Sequence, residues 1–366
     1  MKIAYDFQAF SQRYGGVALY FSKLASNIGS SLAETRIFAP FFQNRYVHSM
    51  PTQMVEGKFL AQYPYKSKRI IWKLNQILSP SRISAWHPDI LHQTYYGYSP
   101  ASLGEKVRII TVYDMIHELF PNSFLANDRT SHLKLRAINR ADQIICISEC
   151  TRRDLINLTG IDEKKVSCIH LGVDAVTSTF DTPPNLQQSN KPYLLFVGAR
   201  TPYKNFIGLL EAYASSTRLS NDFDILVLGG DFFTNHELQK MQDLHLSPQK
   251  VKHVNADLDL LNAYYQHASA FVYPSLYEGF GLPPLEAMAN GCPVVSSNAG
   301  PLLEVNGNAA EYFDPADRCA MIAAIENVVY SASRTKELQL LGYARSSMYS
   351  WGRCADQTYA LYQRLL

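Results

Sequence analysis

The chain has 366 residues, of which 47% are apolar and 18% are charged, so it can bury a large core and has the length of two domains. The net charge is only +2, but residues 1–172 carry +8 and residues 173–366 carry −6, which indicates that the two halves meet different partners. No run of eighteen apolar residues suits a membrane span, and the first ten residues lack the unbroken apolar segment of a signal peptide. We therefore expect a globular, cytoplasmic protein.

Short apolar runs rich in β-branched residues alternate with helical patterns along the chain. The predicted strands, in order, are KIAYDF, RIFAPF, DILHQT, RIITVYD, QIICIS, VSCIHLG, PYLLFVG, DILVLGG, KVKHV, AFVYPS and PVVSSN. The predicted helices span residues 16–29, 128–140, 204–216, 282–290, 316–331 and 353–365. Continuous apolar strands between helices predict an α/β protein with doubly wound parallel sheets.

One polar stretch without periodicity, DAVTSTFDTPPNLQQSNKP, interrupts this alternation at residues 174–192. We predict an N-terminal domain over residues 1–175, a linker over 176–191, a C-terminal domain over 192–350 and a final helix over 351–366. Two doubly wound domains joined in this way are expected to face each other across a cleft lined by the carboxyl ends of their strands.

Two carboxylates, Glu278 and Glu286, lie eight positions apart in YEGFGLPPLEAMANG. The two prolines suit the first positions of a helix, so the pattern predicts Glu278 on a loop and Glu286 in the first helical turn. The amides of Gly281 and Leu282 at such a helix start attract a phosphate, and the carboxylates then suit hydrogen bonds from neighbouring hydroxyl groups. Taken singly, Glu278 is better explained as a solvated loop residue and Glu286 as a complement to the helix dipole.

The stretch EGFGLPPLEAMANGCPVVSSN resembles the glutamate, seven residues, glutamate motif of family 4 of the retaining glycosyltransferases, which includes many bacterial mannosyltransferases. The resemblance implies the GT-B fold of two Rossmann-like domains. The N-terminal domain then faces the acceptor, the C-terminal domain binds the nucleotide-sugar donor, and the final helix crosses back onto the N-terminal domain. It also implies that Glu286 binds the ribose, that Glu278 contacts hydroxyls of the donor sugar, and that the amides of Gly281 and Leu282 approach the phosphate or sugar.

Two further segments match the family. In FVGARTPYKNF, the resemblance places Arg200 and Lys204 on the donor pyrophosphate, although three residues separate them where many relatives have four. A diphosphate leaving group gains negative charge, so cations suit this position. In QRYGGVALYF, Gly15 and Gly16 follow the first strand, where relatives bring the backbone close to the donor, although two glycines also suit a simple turn.

The segment VYDMIHELFP follows the fourth predicted strand. Relatives often carry a histidine here that contacts the donor sugar, but Tyr113 occupies the usual position beside the aspartate. Asp114 and His117 are therefore the candidates for this contact. A helix-capping aspartate and a packed histidine are the open alternatives.

The resemblance implies transfer with retention and without a metal ion or another cofactor. Asp257-Leu258-Asp259 has the spelling of a metal motif but opens a helical pattern, where capping explains it. The family favours GDP-mannose as donor and a glycan or lipid-linked saccharide as acceptor in surface polysaccharide biosynthesis. A UDP-hexose donor and a GT-B sugar-nucleotide epimerase are the alternatives.

The segment at residues 58–86 has six Lys or Arg residues, no Asp or Glu, and two tryptophans. A basic, aromatic, helix-prone stretch is typical of a peripheral contact with an anionic membrane, here at the inner face of the cell membrane. A solvated helix face with core tryptophans is the alternative. No recognition motif accompanies the basic residues, so we expect no nucleic-acid partner.

Overall fold

The computed structural model describes residues 1–176, 178–183, 191–254 and 258–366. The chain forms two compact units: Met1–Gly172 with Trp351–Leu366, and Val173–Ser350. Half of the predicted linker, namely residues 177 and 184–190, lies outside the described residues, and so does Asp257.

The first unit contains a seven-stranded sheet. Its strands are β1 (Lys2–Tyr5), β2 (Glu34–Phe42), β3 (Val55–Phe59), β4 (Ile90–Gln93), β5 (Val107–Val112), β6 (Gln143–Cys146) and β7 (Val166–Cys168). They lie in the order β3-β2-β1-β4-β5-β6-β7, and all neighbours are parallel.

The second unit contains a six-stranded sheet. Its strands are β8 (Tyr193–Val197), β9 (Asp224–Leu228), β10 (Val251–Val254), β11 (Ala270–Tyr273), β12 (Val294–Ser297) and β13 (Ala310–Phe313). They lie in the order β10-β9-β8-β11-β12-β13, again all parallel. In each sheet the strand order reverses at the first strand, and α/β sheets bind ligands beside the carboxyl ends of the strands at such a reversal.

Helices connect these strands. In chain order they are α1 (Gly16–Gly29), α2 (Arg45–His48), α3 (Lys68–Trp86), α4 (Ile116–Leu119), α5 (Thr130–Arg140), α6 (Glu149–Thr159), α7 (Phe206–Ser215), α8 (Thr217–Asp222), α9 (Asn235–Asp243), α10 (Leu258–His267), α11 (Leu282–Ala289), α12 (Leu302–Asn306), α13 (Arg318–Val329), α14 (Ala332–Ser346) and α15 (Trp351–Leu365). Within the described part of the chain, no helix has both the length and the apolar character needed to cross a bilayer.

The central strands of both sheets are buried on both faces, whereas the edge strands are partly exposed. All six residues of β5 and all five of β9 are buried, which explains their nearly continuous apolar sequences. In the second unit, α7 and α13 contribute Leu209, Tyr213 and Ile325 to the core. The prediction of an α/β protein with two doubly wound parallel sheets is confirmed.

The last helix belongs to the first unit. Helix α15 packs against α1, where the rings of Trp351 and Tyr20 lie 6.5 Å apart. Beneath α15, the buried His92 of β4 has its Nδ1 atom 2.6 Å from the Tyr362 hydroxyl and its Nε2 atom 2.8 Å from Oγ1 of Thr111. Burial lowers the pKa of His92 to about 3, so this histidine is neutral.

Candidate functional site

A buried ion pair joins the two strands at the reversal of the second sheet. Lys204 closes the turn Pro202–Lys204 after β8, and Glu278 lies on the loop between β11 and α11. The Lys204 Nζ atom is 2.6 Å from Oε1 of Glu278 and 2.8 Å from the hydroxyl of Tyr273, the last residue of β11. The Lys204 side chain is 14% exposed and that of Glu278 is 9% exposed, so the pair is largely shielded from water.

Lys204 carries a stable positive charge at this position. Burial acts to lower the pKa of Lys204, but the Glu278 carboxylate and Tyr273 outweigh burial and raise the pKa above its usual value. Burial and the same carboxylate raise the pKa of Tyr273, so the phenol remains protonated. Two of the three ammonium donors are used by these contacts, and the described residues provide no hydrogen-bond partner for the third. An anion beside this ammonium group would therefore meet an available donor.

Arg200 is held by protein groups. Its side chain is only 5% exposed, and its Nε atom donates to Oε1 of Glu237 at 2.7 Å. The Nη atoms donate to the backbone carbonyls of Gly229, Asp231 and Phe232 at 3.2, 2.6 and 3.0 Å. These carbonyls belong to the loop that follows β9, so the guanidinium fixes that loop.

Glu237 completes this arrangement and was not predicted as a site residue. It forms a capping box at the start of α9, in which Oε2 accepts from the backbone N–H of Thr234 at 2.7 Å. Burial acts to raise the pKa of Glu237, but hydrogen bonds from Arg200 and Thr234 hold it below its usual value. The spelling Thr-Asn-His-Glu signals the capping box in the sequence, whereas nothing in the sequence signals the pairing with Arg200.

The start of α11 offers few but well-placed amides. Gly281 is the N-cap with φ +108°, and Leu282 is the first helical residue. The next two residues, Pro283 and Pro284, have no N–H, so the amides of Gly281 and Leu282 are the donors at this helix end. A Cβ atom on Gly281 would lie 2.8 Å from Cδ2 of Leu302, so both its backbone conformation and the space around it require glycine.

Glu286 is the fifth residue of α11 and therefore lies in its second turn. The sequence had predicted Glu286 in the first turn, and this prediction was wrong by one residue position. The helix dipole acts mainly within the first turn, so it does not explain why a glutamate occupies position 286. Oε2 of Glu286 accepts a hydrogen bond from the Tyr265 hydroxyl at 3.2 Å. Burial raises the pKa of Glu286 above its usual value. The carboxylate thus ionises less readily than that of an exposed glutamate.

In the first unit, Gly15 and Gly16 lie where the sequence predicted them. Gly15 is the N-cap of α1 and Gly16 is its first residue. A Cβ atom on Gly15 would lie 3.3 Å from Oε1 of Gln12, and one on Gly16 would meet none of the described atoms within 4 Å. The amino end of α1 is therefore open around Gly16, with its backbone amides available to a ligand.

Asp114 and His117 make local contacts. Oδ1 of Asp114 accepts from the backbone N–H of Ile116 at 3.0 Å, but the N-cap of α4 is Met115, so Asp114 is not the capping residue considered from the sequence. The buried Lys134 donates to the Asp114 carbonyl at 2.8 Å and to Glu118 at 2.7 Å. Lys134, which the sequence analysis did not single out, therefore ties α5 to the segment after β5.

The imidazole of His117 stacks on the ring of Phe124, with the ring centroids 3.8 Å apart. Its Nε2 atom lies 4.0 Å from a carboxylate oxygen of Asp128, and its buried Nδ1 atom has no hydrogen-bond partner among the described residues. The packed histidine considered from the sequence is thus present. A ligand that accepts or donates at Nδ1 would satisfy the remaining nitrogen.

Polar residues at the carboxyl ends of β1 and β4 were also missed. The buried Asp6 carboxylate accepts from Nε2 of Gln8 at 2.8 Å and from the backbone N–H of Thr94 at 3.1 Å. Oε1 of Gln8 accepts in turn from the N–H of Gly97 at 2.5 Å. Burial raises the pKa of Asp6. The position of Asp6 near the end of the first predicted strand, KIAYDF, was the available signal, and this network fixes the loops at the reversal of the first sheet.

Comparison with known proteins places the chain in a family. Residues 14–176 match the family model described as Glycosyltransferase Family 4, and residues 178–340 match the model described as Glycosyl transferases group 1. The chain is 29% identical over 310 residues to the O-antigen chain mannosyltransferase B of Escherichia coli, with 79% of each chain covered. It is 31% identical over 223 residues to the O-antigen chain mannosyltransferase RfbU of Salmonella typhimurium, with 60% of each chain covered.

A solved structure shares the fold. The crystal structure of Anabaena Alr3699/HepE in complex with UDP and glucose has a TM-score of 0.75 to this chain at 17% identity, with 100% of both chains covered. The two family models together span nearly the whole chain from residue 14 to residue 340. The chain therefore belongs to family 4 of the glycosyltransferases and has the GT-B fold, as the glutamate motif indicated.

Proposed function

We propose that the chain transfers a hexose, namely mannose from GDP-mannose, to a glycan or lipid-linked saccharide in the biosynthesis of a surface polysaccharide such as an O-antigen. The observation that carries this proposal is the 29% identity to an O-antigen mannosyltransferase over 79% of the chain. A UDP-hexose is the second candidate donor, because the structural neighbour Alr3699/HepE holds UDP and glucose.

We assign the donor to the carboxyl edge of the second sheet. The Lys204 ammonium stabilises the negative charge that develops on the leaving diphosphate, and the amides of Gly281 and Leu282 add donors for the same charge. Glu278 holds Lys204 in place through its Oε1 atom and accepts from hydroxyls of the donor sugar. Glu286 accepts from the ribose hydroxyls. Support for these assignments comes from the shielded ion pair and from the open donors at the start of α11.

The remaining predicted residues complete the assignment. Arg200 serves the donor pyrophosphate, through direct contact or through the loop after β9 that it fixes. In the first unit, Gly15 and Gly16 let the backbone at the start of α1 approach the donor, for which the open space around Gly16 is the support. Asp114 and His117 contact the donor sugar, with the buried Nδ1 atom of His117 as the group that needs a partner.

We further propose transfer with retention and without a metal ion or another cofactor. The acceptor hydroxyl attacks the anomeric carbon on the face from which the diphosphate leaves. The bond from the anomeric carbon to the phosphate oxygen breaks with its electron pair, and that phosphate takes the acceptor's proton. Lys204 and the helix amides take the place of a divalent cation. Glu278 positions the sugar and does not attack it.

A thermal-shift panel of nucleotide sugars tests the donor. A ligand at one hundred times its Kd adds about 2.7 kcal/mol to the free energy of unfolding, which raises Tm measurably. We expect GDP-mannose to raise Tm more than UDP-glucose, UDP-galactose or the free nucleotides at equal concentration. A larger shift with a UDP-hexose would overturn GDP-mannose and support the second donor.

Transfer assays with the best binder test the reaction. We expect nucleotide release only when a saccharide acceptor is present, an unchanged rate in EDTA, and retained anomeric configuration in the product by NMR. Interconversion of the free donor without acceptor would indicate an epimerase and overturn glycosyl transfer. A product with inverted anomeric configuration would overturn the proposed retention alone. Inhibition by EDTA would overturn the proposed independence from metal ions alone.

A further inference from the structure

Helix α3 exposes a row of aliphatic side chains. Ile70, Leu74 and Ile77 are 63%, 41% and 69% exposed and follow the i, i+4, i+7 spacing of one helix face. The opposite face packs on the sheet through the buried residues Ile71, Asn75, Ser79 and Ile83. We call the three exposed residues the apolar row. Because the core uses the other face of the helix, the apolar row is not needed to hold α3 on the first unit.

The tryptophans of this segment do not contribute to the exposed surface in the way the sequence suggested. The Trp72 ring packs edge-on against Phe7 with centroids 5.0 Å apart, and the Trp86 ring lies 5.5 Å from that of Phe38. Both rings are half-buried and pack against aromatic residues of the first unit, so they lie beside the core and not inside it. Single exposed aliphatic residues need no explanation, but three on one face of one helix form a patch, and such patches mark interaction sites.

A groove lies at the amino end of the same helix. Its volume is about 560 Å³, and its lining residues are Gln43, Gln62, Tyr63, Pro64, Tyr65, Lys66 and Lys68. We call it the basic groove. Lys66 and Lys68 are exposed, and neither forms an ion pair with a carboxylate within the described ranges. The two ammonium groups, the Gln62 amide and the Tyr65 phenol provide hydrogen-bond donors for an anion such as a phosphate. The Gln43 amide and the Tyr63 hydroxyl donate to the carbonyls of Ser11 and Phe41.

The charge around both features has one sign. Residues 58–86 include six Lys or Arg residues and no Asp or Glu. The nearest acidic residue in the sequence, Glu56, lies 3.6 Å from Arg82 and 4.0 Å from Arg36, so its charge is already balanced. An aliphatic row that continues into a positively charged groove is complementary to a surface with an apolar interior and anionic phosphate groups.

We propose that the apolar row and the basic groove together form a docking surface for an anionic phospholipid bilayer. The apolar row enters the boundary between headgroups and acyl chains, and the basic groove takes phosphate headgroups. A second copy of the chain is the less suitable occupant, because a two-fold interface would place this positively charged surface against the same positively charged surface of the other copy. The inference concerns this surface alone and needs neither the donor nor the acceptor proposed above.

Vesicle sedimentation with the full chain tests the proposal. We expect binding to vesicles of phosphatidylcholine with 30% phosphatidylglycerol, weak binding to pure phosphatidylcholine, and release by salt. Near such a surface each lysine contributes about fivefold to partitioning, so K66Q/K68Q should bind roughly 25-fold more weakly. I70Q/I77Q should bind at least about tenfold more weakly, because two aliphatic side chains no longer enter the interface.

Matched controls are available elsewhere on the chain. The exposed lysines of K164Q/K165Q and the exposed leucines of L158Q/L340Q are changed in the same way, and we expect both variants to bind like the parent chain. Equal binding of the parent to both vesicle types, or an equal loss in the control variants, would overturn the docking surface. A chain that dimerises in sedimentation velocity through Ile70 and Ile77 and ignores vesicles would also overturn it and assign the row to a second copy.

The outcome is separable from the proposed glycosyl transfer. Each variant is first checked for an unchanged circular dichroism spectrum and an unchanged thermal shift with the nucleotide sugar in the absence of vesicles. A chain that transfers sugar to a water-soluble acceptor but does not bind vesicles overturns the docking surface alone. A chain that binds vesicles but responds to no nucleotide sugar overturns the proposed function alone.

Discussion

Among single side chains, the Lys204–Glu278 pair links the stability of the second unit to its proposed chemistry. Both groups are largely shielded from water, so each is costly to bury without the other. The pair also leaves one ammonium donor without a partner among the described residues. A substitution that keeps the shape of Glu278 but removes its charge should therefore change both folding and transfer.

We expect Glu278→Gln to lower the free energy of unfolding by about 1–3 kcal/mol, because the hydrogen bond to Lys204 loses its charged acceptor. The transfer rate should fall by about 100-fold or more, since the sugar and Lys204 lose their common partner. Far-UV circular dichroism in urea and initial rates measure the two effects. Glu337→Gln, which removes an exposed carboxylate 2.7 Å from Arg334, is the control and should cost about 0–1 kcal/mol. Full transfer activity in Glu278→Gln would contradict the assignment.

The role of Arg200 can be tested with Arg200→Lys, which keeps a charge but loses the planar fork that contacts the loop carbonyls. If Arg200 contacts the pyrophosphate through its fork, the Kd for GDP should rise about tenfold while that for GMP changes little, because only the bond to the second phosphate is lost. If Arg200 acts through the loop after β9, both affinities should fall together. Isothermal titration with the two nucleotides distinguishes these results, and unchanged affinity for both contradicts either role.

The buried carboxyl group of Glu286 should make the free energy of unfolding depend on pH. Burial raises its pKa in the folded protein, so the folded state holds the proton more tightly than the unfolded chain. The stability from this group is complete below the unfolded pKa of about 4.5 and is lost as the pH rises through the raised folded pKa. Glu286→Gln should therefore be at least as stable as the parent at pH 8, while GDP-mannose no longer raises its Tm. Thermal shifts at pH 5 and pH 8 measure this, and a variant that loses stability mainly at pH 8 would contradict it.

Between elements, the starts of α1 and α11 make a matched pair. Each begins at a glycine N-cap, Gly15 for α1 and Gly281 for α11. Gly281 is confined by Leu302 and a positive φ, whereas Gly16, the first residue of α1, is surrounded by open space. The same substitution should therefore destabilise the fold at Gly281 and have little effect on folding at Gly16. The proposed donor contacts are the property that the two positions share.

We expect Gly281→Ala to lower the free energy of unfolding by about 1–3 kcal/mol, from the strained backbone and the contact with Leu302. Gly16→Ala should change it by less than about 1 kcal/mol, because alanine fits a helical position in open space. It should nevertheless weaken GDP-mannose binding, since a methyl group intrudes on the approach to the amides. Calorimetry with and without the donor measures both effects. Unchanged donor affinity in Gly16→Ala would remove the Gly15–Gly16 loop from the proposed site.

The sequence predicted the buried elements better than the edge elements. Strands β5 and β9 have nearly continuous apolar sequences because both of their faces are covered, and this pattern made them easy to predict. Strands β3 and β13, which have the short sequences VEGKF and AEYF and lie at sheet edges, were not predicted. Helix α14, which buries only Leu338, Gly342 and Ser346, was not predicted either. Elements that bury little leave little periodicity to read.

Pairs within the site were predictable only where topology dictates them. Lys204 and Glu278 both follow strands at the reversal of one sheet, so their proximity follows from the fold. The Arg200–Glu237 contact depends on the path of the loop after β9, and that of Lys134 with Glu118 depends on how α5 packs. Neither loop path nor helix packing leaves a signal at fixed spacing in the sequence.

At the scale of the whole molecule, all three tryptophans, Trp72, Trp86 and Trp351, belong to the first unit. Tryptophan fluorescence therefore reports unfolding of that unit, whereas circular dichroism reports both. The two probes can separate the stability of the unit closed by α15 from that of the unit that carries Glu278.

His92→Gln tests how much the buried contact between His92 and Tyr362 of α15 contributes to the stability of the first unit. His92 is held neutral with a folded pKa of about 3, so its contribution to stability is present above the unfolded pKa of about 6.5 and is lost as the pH falls. The variant should be less stable than the parent at pH 7, and the gap should narrow by about 2 kcal/mol between pH 7 and pH 5. Urea unfolding followed by tryptophan fluorescence measures this, with His132→Gln at an exposed position as control. A constant gap would contradict the buried neutral histidine.

The return of Trp351–Leu366 to the first unit has a consequence for the order of assembly during translation. Domains usually fold in the order of their synthesis. Here the ribosome delivers every residue of Val173–Ser350 before the segment that covers α1 and His92 exists, so the unit made second is complete first. Until the last turns of α15 leave the ribosome, the surface of α1 around Tyr20 that α15 covers in the folded chain stays exposed. A chaperone can bind this apolar surface during that time.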